Sequence, residues 1–382
     1  MESIASCIYF LISYIRGFFF GRAAPPTIPR FIPAPVTKEQ LDYVDLAVID
    51  LSKAATPEGR AQLVPEVRKA LATQGFFYAI NHGYTQEQTN CIFDIANLTF
   101  DGVAPEEKQE FTGDTEALGA YKGYKPRNYW KIDKGVDQIE HYNTHRSIVG
   151  QEHPRPLRPF ISEMEDFARH NHFNVLHPVL RLLALGLELP EDTLVKTHNF
   201  DAKGETSVRF MKYYPRNEEE EKQTNNVWLK GHTDIGGVTI LWSQPIAALQ
   251  ILSPQGKWQW VKHMDNALVI NSGDVLQFLS GDFYKPTIHR VVQPPIDQRN
   301  KQRLGAFYFT MPDDNLKLVP YAESPVLQRE GIHRLCEDEE APTMEEWRKG
   351  RAVSYGRAAL KIGTEKGVEE EIVRGVTVKH YN

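Results

Sequence analysis

Cysteine is scarce. The 382 residues hold only Cys7, Cys91 and Cys336, too few and too scattered for a disulfide framework or a cysteine zinc site, so a reducing, cytoplasmic setting is the expectation. Lysine and arginine form no basic block, and 44 of them against 50 acidic residues leave a net charge of −6. A nucleic-acid binder, which needs a basic face to neutralise phosphates, does not fit. A long apolar run is also lacking. Residues 4–15 are apolar apart from Ser6 and Ser13, but Arg16 and Gly17 interrupt before Phe18, Phe19 and Phe20. That falls short of the ~20 apolar residues of a spanning helix, and Glu2 stands where an export signal carries positive charge. Residues 1–22 therefore read either as a weak interfacial anchor that associates with a membrane surface or as a helix packed on the body of the protein. Internal repeats are not visible. The balance of 41% hydrophobic to 25% charged residues is that of a globular protein, and the length allows two or three units or one large β-rich domain with added helices.

Five prolines between residues 23 and 37 forbid a helix and give an extended linker. Folded sequence starts after it. Residues 46–51 read as a strand, and Leu63, Val67 and Leu71, closed by Gly75, as an amphipathic helix. A second strand follows at 76–80, and Thr85 with Gln88 forms a capping box for another helix. Residues 119–143, rich in Tyr, Lys and Gly, show no clear period and read as a long pocket-lining loop or as irregular strands. The longest helical stretch is 160–187, with Pro178 as an expected kink. Beyond Pro190, short β-branched and aromatic runs at 208–214, 238–242, 249–252, 258–261, 267–271, 275–279, 289–292 and 303–310 predict eight strands, hence a sandwich or barrel. Thr343 and Glu346 cap a last helix.

His232 and Asp234 are two residues apart, which puts both side chains on one face of a strand or strand end. The pattern alone is not specific: 13 histidines and 50 acidic residues in 382 give about two His-x-acid pairs by chance, and two occur. The other pair, His263 and Asp265, joins two predicted strands and reads as a solvated turn. His232 instead precedes an apolar strand, and His289, opening a later strand, supplies a third ligand. Two histidines and one carboxylate make the facial triad of non-haem Fe(II) oxygenases, with three coordination positions open, whereas closed structural zinc sites lack open positions. Arg303 flanks with His289 a turn rich in proline and polar residues, which would set the two opposite each other across a hairpin. Its guanidinium suits a carboxylate, as an iron site using a dicarboxylate co-substrate requires.

The stretches GFFYAINHG at Gly75, KYYP at Lys212, HTDIGGVTIL at His232, ALQIL at Ala248, NSGDVLQFLSG at Asn271, HRVV at His289 and RLGAFYF at Arg303 together resemble the 2-oxoglutarate and Fe(II)-dependent dioxygenases of the isopenicillin N synthase-like branch. The match runs over about residues 46–315 in the family's order, with 54 residues between Asp234 and His289. The resemblance implies a mainly β fold with packed helices, a distorted double-stranded β-helix or jelly roll. Together with the composition of the two ends, it divides the chain into an apolar segment 1–22, a proline-rich linker 23–45, an N-terminal α/β region 46–185, a jelly-roll domain 186–315 and a C-terminal helical extension 316–382. It also implies that His232, Asp234 and His289 bind Fe(II), that Arg303 pairs with the distal carboxylate of 2-oxoglutarate, and that Tyr214 donates its hydroxyl to the same co-substrate. The reaction it implies consumes O2 and hydroxylates, desaturates or cyclises a small organic molecule, with a role in secondary metabolism. Tyr121, Tyr124, Tyr129 and Trp130 are candidate pocket walls, and Phe307 and Phe309 read first as core packing and second as further pocket walls. Two positions depart from the family pattern: Gly305 stands where a serine is usual, and Lys212 where an asparagine is. The acidic run 218–221 reads as solvated. The rival readings are an iron-dependent oxidase that does without 2-oxoglutarate and a catalytically silent jelly-roll binding protein.

Overall fold

The computed structural model describes residues 27–114, 121–132, 134–354, 361–363 and 368–381, so the readings made for residues 1–22 lie outside the described residues. Two sheets face each other as a jelly roll. One holds, in spatial order, the strands Val48–Asp50, Phe76–Ile80, Leu268–Ser272, Val238–Trp242, Arg303–Phe309, Ser207–Tyr213, Ile139–His145 and Gly123–Lys125. The other runs Trp258–Trp260, Leu249–Leu252, His289–Val292, Val227–His232, Val376–Tyr381, Val368–Val373 and Lys361–Ile362.

Period-two alternation divides the core between these layers. Val208, Phe210, Ile240, Ile270, Leu304, Ala306 and Tyr308 point outward, where they pack under the helices Pro57–Thr73, Gln86–Asp101, Ile161–Arg169 and His177–Gly186. Their neighbours Met211, Tyr213, Leu241, Val269 and Phe307 point inward, against Leu229, Leu249, Ile251 and Val291 of the opposite sheet. The inward face carries the polar groups of the site, and the helices stiffen the sheet from behind.

Several elements differ from expectation. Residues 275–279 fall in the helix Asp274–Leu279, because burial on nearly every side makes a short apolar run read equally well as strand or helix. The strand Val227–His232 is not among the eight expected, and the acidic run before it lies in a short helix, Glu218–Gln223. Glu221 of the acidic run is buried there and accepts a hydrogen bond from Trp228 Nε1 at 2.8 Å, so that run is not wholly solvated. Pro178 makes no kink of its own. It occupies the first turn of His177–Gly186, after a π-helical stretch His170–Leu176, where a missing N–H is tolerated. The C-terminal extension is only partly helical: Pro325–Glu330 and Met344–Ser354 are helices, but Val368–Val373 and Val376–Tyr381 form a hairpin that joins the second sheet. His289 and Arg303 are not hairpin partners either, because the chain changes sheets between them.

Candidate active site

The ladder between Val227–His232 and His289–Val292 sets His232 directly opposite His289, with ring centroids 4.5 Å apart. Asp234, just past the strand end, brings Oδ1 to 3.8 Å from His232 Nε2 and 3.6 Å from His289 Nε2. These three form the one group of metal-ligating type among the described residues, with ligand atoms all within 4.8 Å. Each atom is aimed. His232 Nδ1 lies 2.7 Å from the Lys230 carbonyl and His289 Nδ1 3.1 Å from that of Thr287. A carbonyl only accepts, so each Nδ1 carries the proton and each Nε2 presents its lone pair inward. Asp234 Oδ2 accepts from Thr239 Oγ1 at 2.6 Å and Asn271 Nδ2 at 2.8 Å, which leaves Oδ1 for the cluster. Burial, with His289 adding, pushes the His232 pKa down to about 3. Burial works against the Asp234 carboxylate, but His289, His232 and its two hydrogen bonds hold it below its ordinary value. Two neutral imidazoles and a carboxylate with room beside them suit Fe(II). His263 and Asp265 sit apart on a turn, 3.0 Å from each other, with the aspartate side chain 95% exposed.

Arg303 opens on the same cavity, of about 540 Å³. It is buried, stacks 5.1 Å over the Tyr213 ring, and its Nε and Nη1 have no partner. A buried cation with two unpaired nitrogens beside a metal-type triad suits a carboxylate ligand. The structure does not bring Tyr214 to this cluster. Arg303 pairs with Tyr213 in the ladder, so Tyr213 shares its face and Tyr214 points the other way, donating to Glu140 Oε2 at 2.8 Å beneath Arg127. Lys212 also leaves the cavity and bonds Asp101 at 2.6 Å and Asn97 at 3.2 Å. Gly305 is not backed by an empty space: a Cβ there would lie 2.7 Å from Cε2 of Phe307.

The inner cavity continues outward past His232 and Asp234 into a second of about 820 Å³, walled by Tyr121, Trp130 and Phe309. Tyr124 is instead core, its hydroxyl donating to the Thr99 carbonyl at 2.9 Å, and Tyr129 lines neither cavity. Sequence reasoning missed Arg209, whose guanidinium lies 4.4 Å from the Phe309 ring and 5.2 Å from that of Tyr121. Alternation backward from Tyr213 would have put it on the inward face. Arg348, Arg351 and Ala352, buried residues that line the outer cavity, were also missed, and no local signal marks them.

The sequence pattern of the 2OG-Fe(II) oxygenase superfamily matches residues 205–312, and that of the non-haem dioxygenase in morphine synthesis N-terminal region matches 46–161, together more than half of the chain. A UPF0676 protein of Schizosaccharomyces pombe is 29% identical over 336 residues, covering 84% of this chain and 96% of that protein. Scopoletin 8-hydroxylase of Arabidopsis thaliana is 28% identical over 319 residues, 81% of this chain and 84% of that one. In fold, a full-length Neurospora crassa protein solved in complex with alpha-KG superposes with a TM-score of 0.69 at 23% identity, over 84% of this chain and 99% of the other. The chain belongs to the 2-oxoglutarate/Fe(II)-dependent dioxygenases. It is an oxidoreductase that uses Fe(II), 2-oxoglutarate and O2 to oxidise a small organic molecule.

Proposed function

We propose that His232, Asp234 and His289 hold the iron and that Arg303, with the Tyr213 hydroxyl beside it, holds the carboxylate of 2-oxoglutarate distant from the metal. The observation that carries this reading is the buried, half-unpaired guanidinium of Arg303 opening on the cavity that holds the three ligand atoms. An oxidase without 2-oxoglutarate needs that cation only where its own substrate carries a carboxylate, and a silent binding protein has no use for the triad. When bound, iron and co-substrate supply oxidative decarboxylation to succinate and CO2 coupled to substrate oxidation. The residues do the rest. The Lys230 and Thr287 carbonyls fix the imidazoles, Thr239 and Asn271 fix the carboxylate, and the apolar walls Phe76, Leu229, Leu249 and Val291 exclude water.

The substrate enters through the outer cavity, where Tyr121, Trp130 and Phe309 suit an apolar or aromatic body. A tailoring reaction in secondary metabolism is the reading that the scopoletin-hydroxylating relative supports. The setting we propose is cytoplasmic, with residues 1–22 tethering the enzyme weakly to a membrane surface. Their apolar composition and the proline-rich linker behind them support this, while no helix among the described residues is long and apolar enough to cross a membrane. Deleting 1–22 should release the protein from membranes without changing turnover. The central test is succinate release from 2-oxoglutarate on added Fe(II). His232→Ala should abolish it and His263→Ala should not, and the reverse result would sink the assignment.

A further inference from the structure

The helix Met344–Ser354 and the hairpin that follows lie beyond both matched sequence patterns, yet they end in the metal-ligand loop. Arg351 is 1% exposed, and each of its three nitrogens reaches a different element. Nε donates to Asp274 Oδ2 at 3.1 Å, Nη1 to Glu371 Oε1 at 3.2 Å and Nη2 to the backbone carbonyl of Thr233 at 3.2 Å. Thr233 is the residue between the two ligands His232 and Asp234. Its hydroxyl donates to the other oxygen of Asp274 at 2.6 Å, and the Asp274 N–H donates to the Asp234 carbonyl at 2.8 Å. The arginine, the aspartate and the ligand loop thus close a ring of hydrogen bonds. His380 Nε2 lies 3.0 Å from Glu371 Oε1, tying the second hairpin strand to the same cluster. That strand also meets the ligand strand directly: Tyr381 pairs with Gly231, where a Cβ would come within 2.8 Å of Tyr381 Cβ, so the glycine beside His232 is what lets the hairpin dock.

We infer that the helix Met344–Ser354 and the strands Val368–Val373 and Val376–Tyr381 are a working part of the metal site, with Arg351 as the positioning residue that holds the turn between His232 and Asp234 in ligating geometry. The inference rests on the ligand assignment above. A ring built on charge-assisted bonds in a buried setting is stiff, and a guanidinium meets its three acceptors from three nitrogens fixed in one plane, whereas the three N–H groups of an ammonium radiate from a single nitrogen. Partners one step behind a metal ligand typically change metal affinity by ~10- to 100-fold when removed.

The test is the Fe(II) dissociation constant of the full chain with 2-oxoglutarate present, measured anaerobically by competition with a chromogenic chelator, alongside the thermal midpoint of the metal-free protein. Arg351→Met should weaken Fe(II) by at least ~10-fold, and Arg351→Lys should recover part of the loss. Met344→Ala is the control. Met344 is fully buried at the start of the same helix and lines neither cavity, so its truncation should lower the thermal midpoint but leave the Fe(II) affinity within about twofold. If Arg351→Met does not fold, Thr233→Val, which removes only the hydroxyl bond to Asp274, should still weaken Fe(II) by a few-fold. Wild-type affinity in folded Arg351→Met, wild-type affinity in Thr233→Val, or an equal loss in Met344→Ala would each overturn the inference. Failure of the ligand assignment looks different, because His232→Ala would then keep its iron.

Discussion

Gly305→Ser places a hydroxyl where the family usually carries one, on the inward face two residues from Arg303. From the sequence alone the change should tighten 2-oxoglutarate, since a hydrogen bond to a charged group contributes ~1.5–3 kcal/mol, or ~10-fold and more in affinity. The structure alters that expectation. A Cβ at 305 meets Phe307 at 2.7 Å (Cε2) and 3.1 Å (Cζ), and that ring is stacked on Phe309 with centroids 5.4 Å apart and planes 11° apart. Overpacking a core typically costs ~1–3 kcal/mol, which matches the gain and opposes it. Gly305→Ser alone should therefore shift the 2-oxoglutarate dissociation constant by no more than about threefold. Phe307→Leu makes room, so adding Gly305→Ser to that variant should tighten binding by ~5- to 10-fold relative to Phe307→Leu alone. Calorimetric titration of 2-oxoglutarate into the Fe(II)-loaded proteins reads all four corners of the cycle. A tenfold gain from the single change, or additivity across the cycle, would refute the view that Phe307 fills the serine's place.

Arg303→Met should raise the 2-oxoglutarate dissociation constant by at least ~10-fold while leaving the unliganded protein as stable as the wild type or more so, because the lost cation was only half paired. Lys125→Met should behave oppositely in chemical denaturation. Its ammonium is the buried partner of Asp137 at 2.6 Å, and removing one member of such a pair costs ~3–5 kcal/mol. The fold should also be acid-sensitive through histidines remote from the iron site: burial pushes His170 to about 4, His172 to about 3 and His198 to about 4. Unfolded, each binds a proton near 6.5, so their contribution is complete above that pH and falls as pH drops toward 4, by up to ~1.4 kcal/mol per pH unit for each. Urea midpoints that stay flat between pH 7 and 5 would contradict this.

The three candidate ligands were legible in the sequence because their spacing encodes chemistry directly: His232 and Asp234 share a face at a period of two, and His289 opens a run with clear strand character. Spacing did not reveal Arg303, since the hairpin that would set it opposite His289 does not exist, and the family resemblance is what pointed to it. Both reach the cavity from different sheets. Which of Tyr213 and Tyr214 faces inward depends on strand parity, and two adjacent tyrosines give no local contrast in polarity to settle it. The run 275–279 misleads because burial removes the alternation that separates strand from helix. Arg351 was beyond reach altogether, since nothing near residue 351 records that residues 233, 274 and 371 will surround it.

The docking of Val376–Tyr381 beside Val227–His232 also bears on how the enzyme is made. All three candidate ligands are synthesised well before the strand that flanks them. Until residues 376–381 emerge, the nascent chain holds an unpaired strand edge next to His232, in the open second sheet, where a neighbouring chain can pair with it. A chain that ends before residue 376 would therefore keep every candidate ligand and lack the pairing of Tyr381 with Gly231 that covers this edge beside His232.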